Sequence, residues 1–279
     1  MLTDLYGEER LSKNSRPIGI FDSGVGGVTV LKEIKKLLPY ENILYLGDTK
    51  NLPYGSKSKE TVIRFSINNV RFLLKKNVKF IVIACNTASA LSLEILKKQC
   101  PVGIIGVVEP GAKAASEATK NNKIGVIGTK ATIESHAYTK ALLKQNKNII
   151  IAGKACPLFV PLVEEGWFAS KITELTATEY MKAFKEQDID TLVLGCTHYP
   201  FIKPILTKIL RGVQLIDSAT ETAKAVKAAL EKQGGLRKEK GRLPDYKYFV
   251  TDAPDNFKKL GSFFLEKSIK NVKLVTLEP

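Results

Sequence analysis

Two cysteines carry the clearest chemical signal in this chain. Cys85 follows the run Phe80-Ile81-Val82-Ile83-Ala84 and precedes Asn86-Thr87, while Cys196 follows Leu192-Val193-Leu194-Gly195 and precedes Thr197-His198. Each thiol ends a short apolar, β-branched run and leads into small hydroxyl or amide residues. That is the pattern of a buried parallel strand opening into a helix. Open α/β sheets bind ligands just beyond the carboxyl ends of their strands, so both thiols are expected where a substrate would sit. A cysteine at a helix start faces the positive end of the helix dipole. The expected effect is a pKa below the free value of about 8.5, with thiolate accessible near neutral pH. The residues after each thiol can cap the helix or present donors to a carboxylate.

One such cysteine would suggest a nucleophile with a histidine partner, or simply an apolar strand end. A matched pair suits another task. One thiolate removes a proton from a carbon, the other thiol delivers one to the opposite face, and the centre inverts. Two further groups stand close by in sequence. Asp22 ends another apolar run and either caps the glycine-rich turn after it or takes part in proton transfer. His198, one of only two histidines, lies two residues beyond Cys196. His136 reads as surface or packing. Gly24-Val25-Gly26-Gly27 lacks the spacing of a dinucleotide loop, and its glycines better suit a backbone closing tightly over a small substrate. No lysine is marked out as a Schiff-base residue.

The elements that must hold these groups repeat. Ile18-Gly19-Ile20-Phe21-Asp22-Ser23 resembles Ile124-Gly125-Val126-Ile127-Gly128-Thr129. This pair and the cysteine pair recur at an offset of roughly 105 to 110 residues, which suits a duplicated α/β domain rather than a solenoid. Apolar runs alternating with helical patterns predict parallel sheets covered on both faces. The expected fold class is therefore α/β, with two pseudosymmetric parallel-sheet domains and the site in the cleft between them. Residues 1–103 plus 213–279 form the first, discontinuous domain in this reading, carrying Asp22 and Cys85. Residues 104–212 form the second, carrying Cys196 and His198. A single helix is expected near 133–145.

Composition bounds the function classes. The 279 residues are 44% hydrophobic and 25% charged, which is ordinary for a soluble globular protein of two domains. No apolar run approaches the roughly 20 residues of a membrane span, and the polar N-terminus has no apolar core of the kind a signal peptide needs. Cytoplasm is the expected compartment, where thiols stay reduced. The four cysteines show no Cys-x-x-Cys pair, so neither a disulfide framework nor a zinc site is expected; Cys100 and Cys156 read as structural. A net charge of +15 raises a nucleic-acid hypothesis. The excess is mostly lysine scattered along helices, however, and a solvated surface is the better reading. The densest basic stretch, 236–242, reads as an exposed connector.

Several separated motifs, agreeing in order and spacing, resemble the bacterial glutamate racemases of the aspartate/glutamate racemase family. They are 18–27, Gly47-Asp48-Thr49-Lys50-Asn51-Leu52-Pro53-Tyr54-Gly55, Ala84-Cys85-Asn86-Thr87-Ala88-Ser89-Ala90 and Gly195-Cys196-Thr197-His198-Tyr199-Pro200, with 157–166 and 250–254 in support. The resemblance implies cofactor-independent interconversion of L- and D-glutamate for peptidoglycan, no metal, and usually a homodimer. It implies Cys85 and Cys196 as the acid/base thiols, Asp22 and His198 as their respective helpers, and Glu164 as a further helper beside Cys196. It also implies that Asp22, Ser23, Pro53, Tyr54, Gly55, Asn86, Thr87, Thr197 and His198 hold the substrate. A racemase for aspartate or another acidic amino acid shares these features; a thiol redox or hydrolytic enzyme using Cys196 and His198, and a basic nucleic-acid-associated protein, are the more distant readings.

Overall fold

The computed structural model describes residues 14–237 and 243–278. Its strands and helices alternate: β1 (Ile18–Asp22), α1 (Val28–Leu37), β2 (Ile43–Gly47), α2 (Lys59–Lys75), β3 (Phe80–Ile83), α3 (Asn86–Gln99) and β4 (Gly103–Gly106). The chain then crosses through α4 (Val108–Ala118) to β5 (Lys123–Gly128), α5 (Lys130–Glu134), α6 (Ala137–Gln145), β6 (Ile150–Ala155), α7 (Phe159–Glu164), α8 (Lys171–Met181), β7 (Thr191–Gly195), α9 (Lys203–Ile209) and β8 (Gln214–Asp217). It returns through α10 (Ser218–Lys232) to β9 (Tyr246–Val250), α11 (Pro254–Leu265) and β10 (Val272–Leu274).

Two all-parallel sheets result, ordered β10-β9-β2-β1-β3-β4 and β6-β5-β7-β8. The fold is α/β, as the alternation predicts. Strands β1, β2, β3 and β7 are buried at every residue, because helices cover both faces of each sheet. Fully burying one of their Ile, Leu, Val or Phe side chains contributes about 1.5–3 kcal/mol.

The crossings differ from the expected boundaries at 103/104 and 212/213. All of β4 pairs with β3, with Gly103 opposite Phe80 and Gly106 opposite Ile83, so it belongs to the first sheet. All of β8 pairs with β7, so 214–217 belong to the second. Backbone pairing carries each sheet one strand beyond those boundaries. The crossings fall at α4 and α10, which pack against each other. The expected helix at 133–145 is broken by His136 in the left-handed region (φ 54°), giving α5 and α6. Arg237 is not part of an exposed connector: it is buried, its backbone N–H donating to Glu41 at 2.9 Å and its guanidinium to the Tyr40 carbonyl and Asn42. Residues 238–242 of that stretch, and 1–13 of the charged N-terminus, lie outside the described residues. Among the described residues no helix is long and apolar enough to cross a membrane.

Candidate active site

β1 and β3 are parallel neighbours with Phe21 opposite Ile83, so Asp22 and Cys85 emerge side by side at one carboxyl edge. Cys85 is the N-cap of α3, its sulfur 3.5 Å from the Ala88 N–H and 3.7 Å from the Ser23 hydroxyl. Asp22 is fully buried and accepts from the Gly24 N–H at 2.9 Å. Burial raises its pKa, against the opposing charge of His198 and the hydrogen bonds of Gly24, Gly27 and Thr197.

The helix dipole does not bring the Cys85 thiolate near neutrality, contrary to expectation. Burial first, then the charge of Asp22, push the thiol up to about 12, and the Ala88 N–H and Ser23 do not offset them. A helix terminus is worth about 0.3–1 kcal/mol, less than one pKa unit, whereas burial can move a group by several. At rest Cys85 is a protonated thiol.

The surroundings of Cys196 are built differently. No α-helix begins there: Cys196, Thr197 and His198 lead into a 3₁₀ turn, Tyr199–Ile202, ahead of α9. The dipole argument therefore applies to Cys85 alone. Its place is taken by His198, whose Nδ1 lies 3.8 Å from the Cys196 sulfur and whose Nε2 lies 3.0 Å from Glu164 Oε1 at the end of α7. Burial works to lower the imidazolium pKa, but the hydrogen bonds to Cys196 and Glu164, with their charges, outweigh it and lift it to about 10. His198 is thus a cation against the Cys196 sulfur. The Tyr199 hydroxyl anchors the turn by donating to the Cys156 carbonyl at 2.8 Å.

Several contacts close the two halves onto each other. Thr197 Oγ1 donates to Asp22 Oδ1 at 3.4 Å. The Thr87 hydroxyl meets those of Thr129 at 2.9 Å and Thr132 at 3.1 Å. Tyr138 donates to Asn86 Oδ1 at 2.6 Å. The backbone of Gly26 passes so near the second half that a Cβ there would stand 2.4 Å from Thr197 Oγ1 and 2.6 Å from the His198 ring. A charge on Cys196 is close enough to raise Cys85 further.

Asp22, Ser23, Cys85, Asn86, Thr87, Glu164, Cys196, Thr197 and His198 therefore converge. Pro53, Tyr54 and Gly55 lie on the loop after β2, and a Cβ on Gly55 would stand 2.4 Å from Thr129 Cβ. The Tyr54 hydroxyl turns away from this work, donating to Asp48 at 2.5 Å and accepting from Asn69 at 2.9 Å.

Thr129, Thr132 and Tyr138 were not singled out from sequence. The internal repeat held a signal for one of them, since it aligns Thr129 with Ser23. Among the described residues, no group of three or more His, Cys, Asp or Glu side chains is arranged to hold a metal ion. The arrangement suits removal of a proton on one side of a small molecule and its return on the other, with hydroxyl and amide donors available to carboxylates.

The profile of the Asp/Glu/hydantoin racemase family matches residues 18–226. The chain is 47% identical over 264 residues to a glutamate racemase of Geobacter metallireducens, covering 94% of this chain and 97% of that one. Its fold is similar to that of a glutamate racemase of Francisella tularensis, solved with D-glutamate, at a TM-score of 0.90 and 39% identity, covering 95% of this chain and 99% of that chain. A glutamate racemase isoform of Bacillus anthracis superposes at a TM-score of 0.91 with 38% identity, covering 95% and 98%.

Proposed function

The chain belongs to the Asp/Glu/hydantoin racemase family, and from that membership we propose that it interconverts L- and D-glutamate by a two-thiol proton relay that uses no cofactor. The observation that carries this reading is that Asp22, whose neighbouring strand leads to Cys85, accepts from Thr197, the residue between Cys196 and His198, so that each half brings a thiol and a proton-handling partner to one cleft. Glutamate enters with its α-carbon between the sulfurs. The thiolate of one cysteine takes the α-proton, leaving the electron pair delocalised into the α-carboxylate, and the thiol of the other donates a proton to the opposite face. Both sulfurs change protonation state, and the reverse reaction restores them.

The partners make this workable in both directions. His198, held as a cation by Glu164, stands against the Cys196 sulfur, while Cys85 rests as the acid. When Cys85 must act as base, Asp22 is the adjacent acceptor, and its raised pKa makes it a better one. The substrate ammonium adds a positive charge that favours thiolate. Burial of all four groups keeps water from quenching the carbanion and strengthens the fields that stabilise it. Donors from Ser23, Asn86, Thr87, Thr197 and the backbone of 53–55 hold the two carboxylates. In this reading the enzyme is a cytoplasmic homodimer supplying D-glutamate for peptidoglycan, with no nucleic-acid partner.

Proton NMR in deuterated water tests the mechanism. The parent should invert both glutamate enantiomers with deuterium entering at Cα. Cys85→Ser and Cys196→Ser should each lose inversion by roughly 10²–10⁴-fold, the range for a positioned acid or base. Inversion at the parental rate in either variant rejects the relay. Inversion of aspartate but not glutamate rejects the substrate.

A further inference from the structure

Asn86 is buried at the start of α3, and its amide nitrogen has no hydrogen-bond partner within the protein. Its amide oxygen is held across the cleft, where the Tyr138 hydroxyl on α6 donates to it at 2.6 Å. The Tyr138 side chain is itself buried, and Ser218, the first residue of α10, lies near it across Gly111. Gly111 on α4 leaves room for this approach. A Cβ there would stand 3.0 Å from Ser218 Cβ and 3.4 Å from the tyrosine oxygen. The Tyr138 hydroxyl thus sits where the two crossing helices and the site come together.

Hydrogen-bond polarity settles which way the asparagine faces. A tyrosine hydroxyl has one proton to give. That proton goes to Asn86 at 2.6 Å, and only the amide oxygen of Asn86 can accept it. The NH₂ group must then point away from Tyr138. A buried NH₂ without a partner costs free energy unless something in the cleft accepts from it. The groups on the proposed substrate suited to accepting are its carboxylates.

We propose that Tyr138 is a positioning residue that fixes the Asn86 amide with its NH₂ toward a substrate carboxylate. The proposal rests on the racemase reading. Removing the tyrosine hydroxyl frees the asparagine to rotate and present its oxygen, which repels a carboxylate. Because the contact is to a carboxylate rather than to the carbon undergoing inversion, binding weakens more than turnover.

Steady-state kinetics of Tyr138→Phe, Asn86→Ala and the double variant test this, with both glutamate enantiomers. Tyr138→Phe should raise KM roughly tenfold in both directions, the effect of one lost buried hydrogen bond, with kcat within about threefold of the parent. Asn86→Ala should raise KM at least as much, and adding Tyr138→Phe to it should change KM little further, because the tyrosine would have no amide left to orient. Tyr138→Phe with a parental KM overturns the proposal. So does a double variant whose KM change is the product of the single changes, since Tyr138 would then act independently of Asn86. A parent that inverts neither enantiomer rejects the racemase reading and this proposal with it, whereas an active parent with independent variants rejects the positioning role alone.

Discussion

The Nε2 of His198 lies 3.0 Å from Oε1 of Glu164, a residue 34 positions earlier in the chain. The other ring nitrogen faces the Cys196 sulfur, so carboxylate, imidazole and thiol stand in line. Cys85 has no such line; its neighbours are the Ser23 hydroxyl and the negative charge of Asp22. Two thiols in duplicated folds therefore work in opposite fields, one beside a cation and one beside an anion.

Replacing Glu164 by Gln keeps the shape of that line and removes its terminal charge. The imidazolium loses one of the contacts that lift its pKa to about 10, so His198 should deprotonate at lower pH. The alkaline limb of the kcat/KM profile should move toward neutrality, and activity near pH 8 should fall roughly tenfold, as expected for one charge-assisted hydrogen bond. An alkaline limb that coincides with the parent's would show that Glu164 does not tune this group.

The same histidine makes stability depend on pH. Its pKa is 6.5 in an ordinary setting and about 10 in the fold. The folded protein thus keeps a proton that the unfolded chain releases. Stability from this source is complete below about 6.5 and is lost as pH rises toward 10. Thermal melts should show Tm falling between neutral pH and pH 10, and less steeply in His198→Gln. Parallel curves for the two proteins would contradict the raised pKa.

Much of this fold was legible because β1, β2, β3 and β7 are buried on both faces and so read as unbroken apolar runs. The placement of Asp22, Cys85 and Cys196 at the ends of those strands was legible for the same reason. What escaped depends on contacts between distant segments. Helix α4 carries a Pro110-Gly111 pair, a dipeptide that usually marks a turn. Pro110 sits in the first turn, where no backbone N–H is needed, and Gly111 eases the close approach of Ser218. The membership of β4 and β8 is decided by pairing, which strand counting does not reveal. Cys85 misled because its helix start is visible in sequence, whereas the burial that dominates its pKa is not.

Asp22 should trade stability for activity. Its carboxyl is fully buried with a raised pKa, so its charged form costs the fold free energy at neutral pH. Asparagine is nearly isosteric and neutral. Its oxygen can accept from Gly24, and its NH₂ can donate to the Thr197 hydroxyl. Asp22→Asn should melt a few degrees higher than the parent, while inversion falls roughly 10²-fold with loss of a proton acceptor beside Cys85. A variant that melts lower would mean that the carboxylate is a net stabilising group.

Gly26→Ala tests whether the precise approach of the two halves matters to the chemistry. The added methyl would stand 2.4 Å from Thr197 Oγ1 and 2.6 Å from the His198 ring, both buried with little room to withdraw. Either the glycine loop or the Cys196 segment must move by about an ångström, a displacement that can cost roughly 10²-fold in rate when it separates reacting groups. Overpacking of this kind costs about 1–3 kcal/mol in a well-packed core, so the protein should still fold and melt somewhat lower. Gly153→Ala supplies the control, because a Cβ there meets only Ile133 Cγ2 at an ordinary 3.4 Å. Inversion should collapse in Gly26→Ala and persist in Gly153→Ala. Parental inversion rates in Gly26→Ala would show that the halves have slack where the reaction needs them fixed.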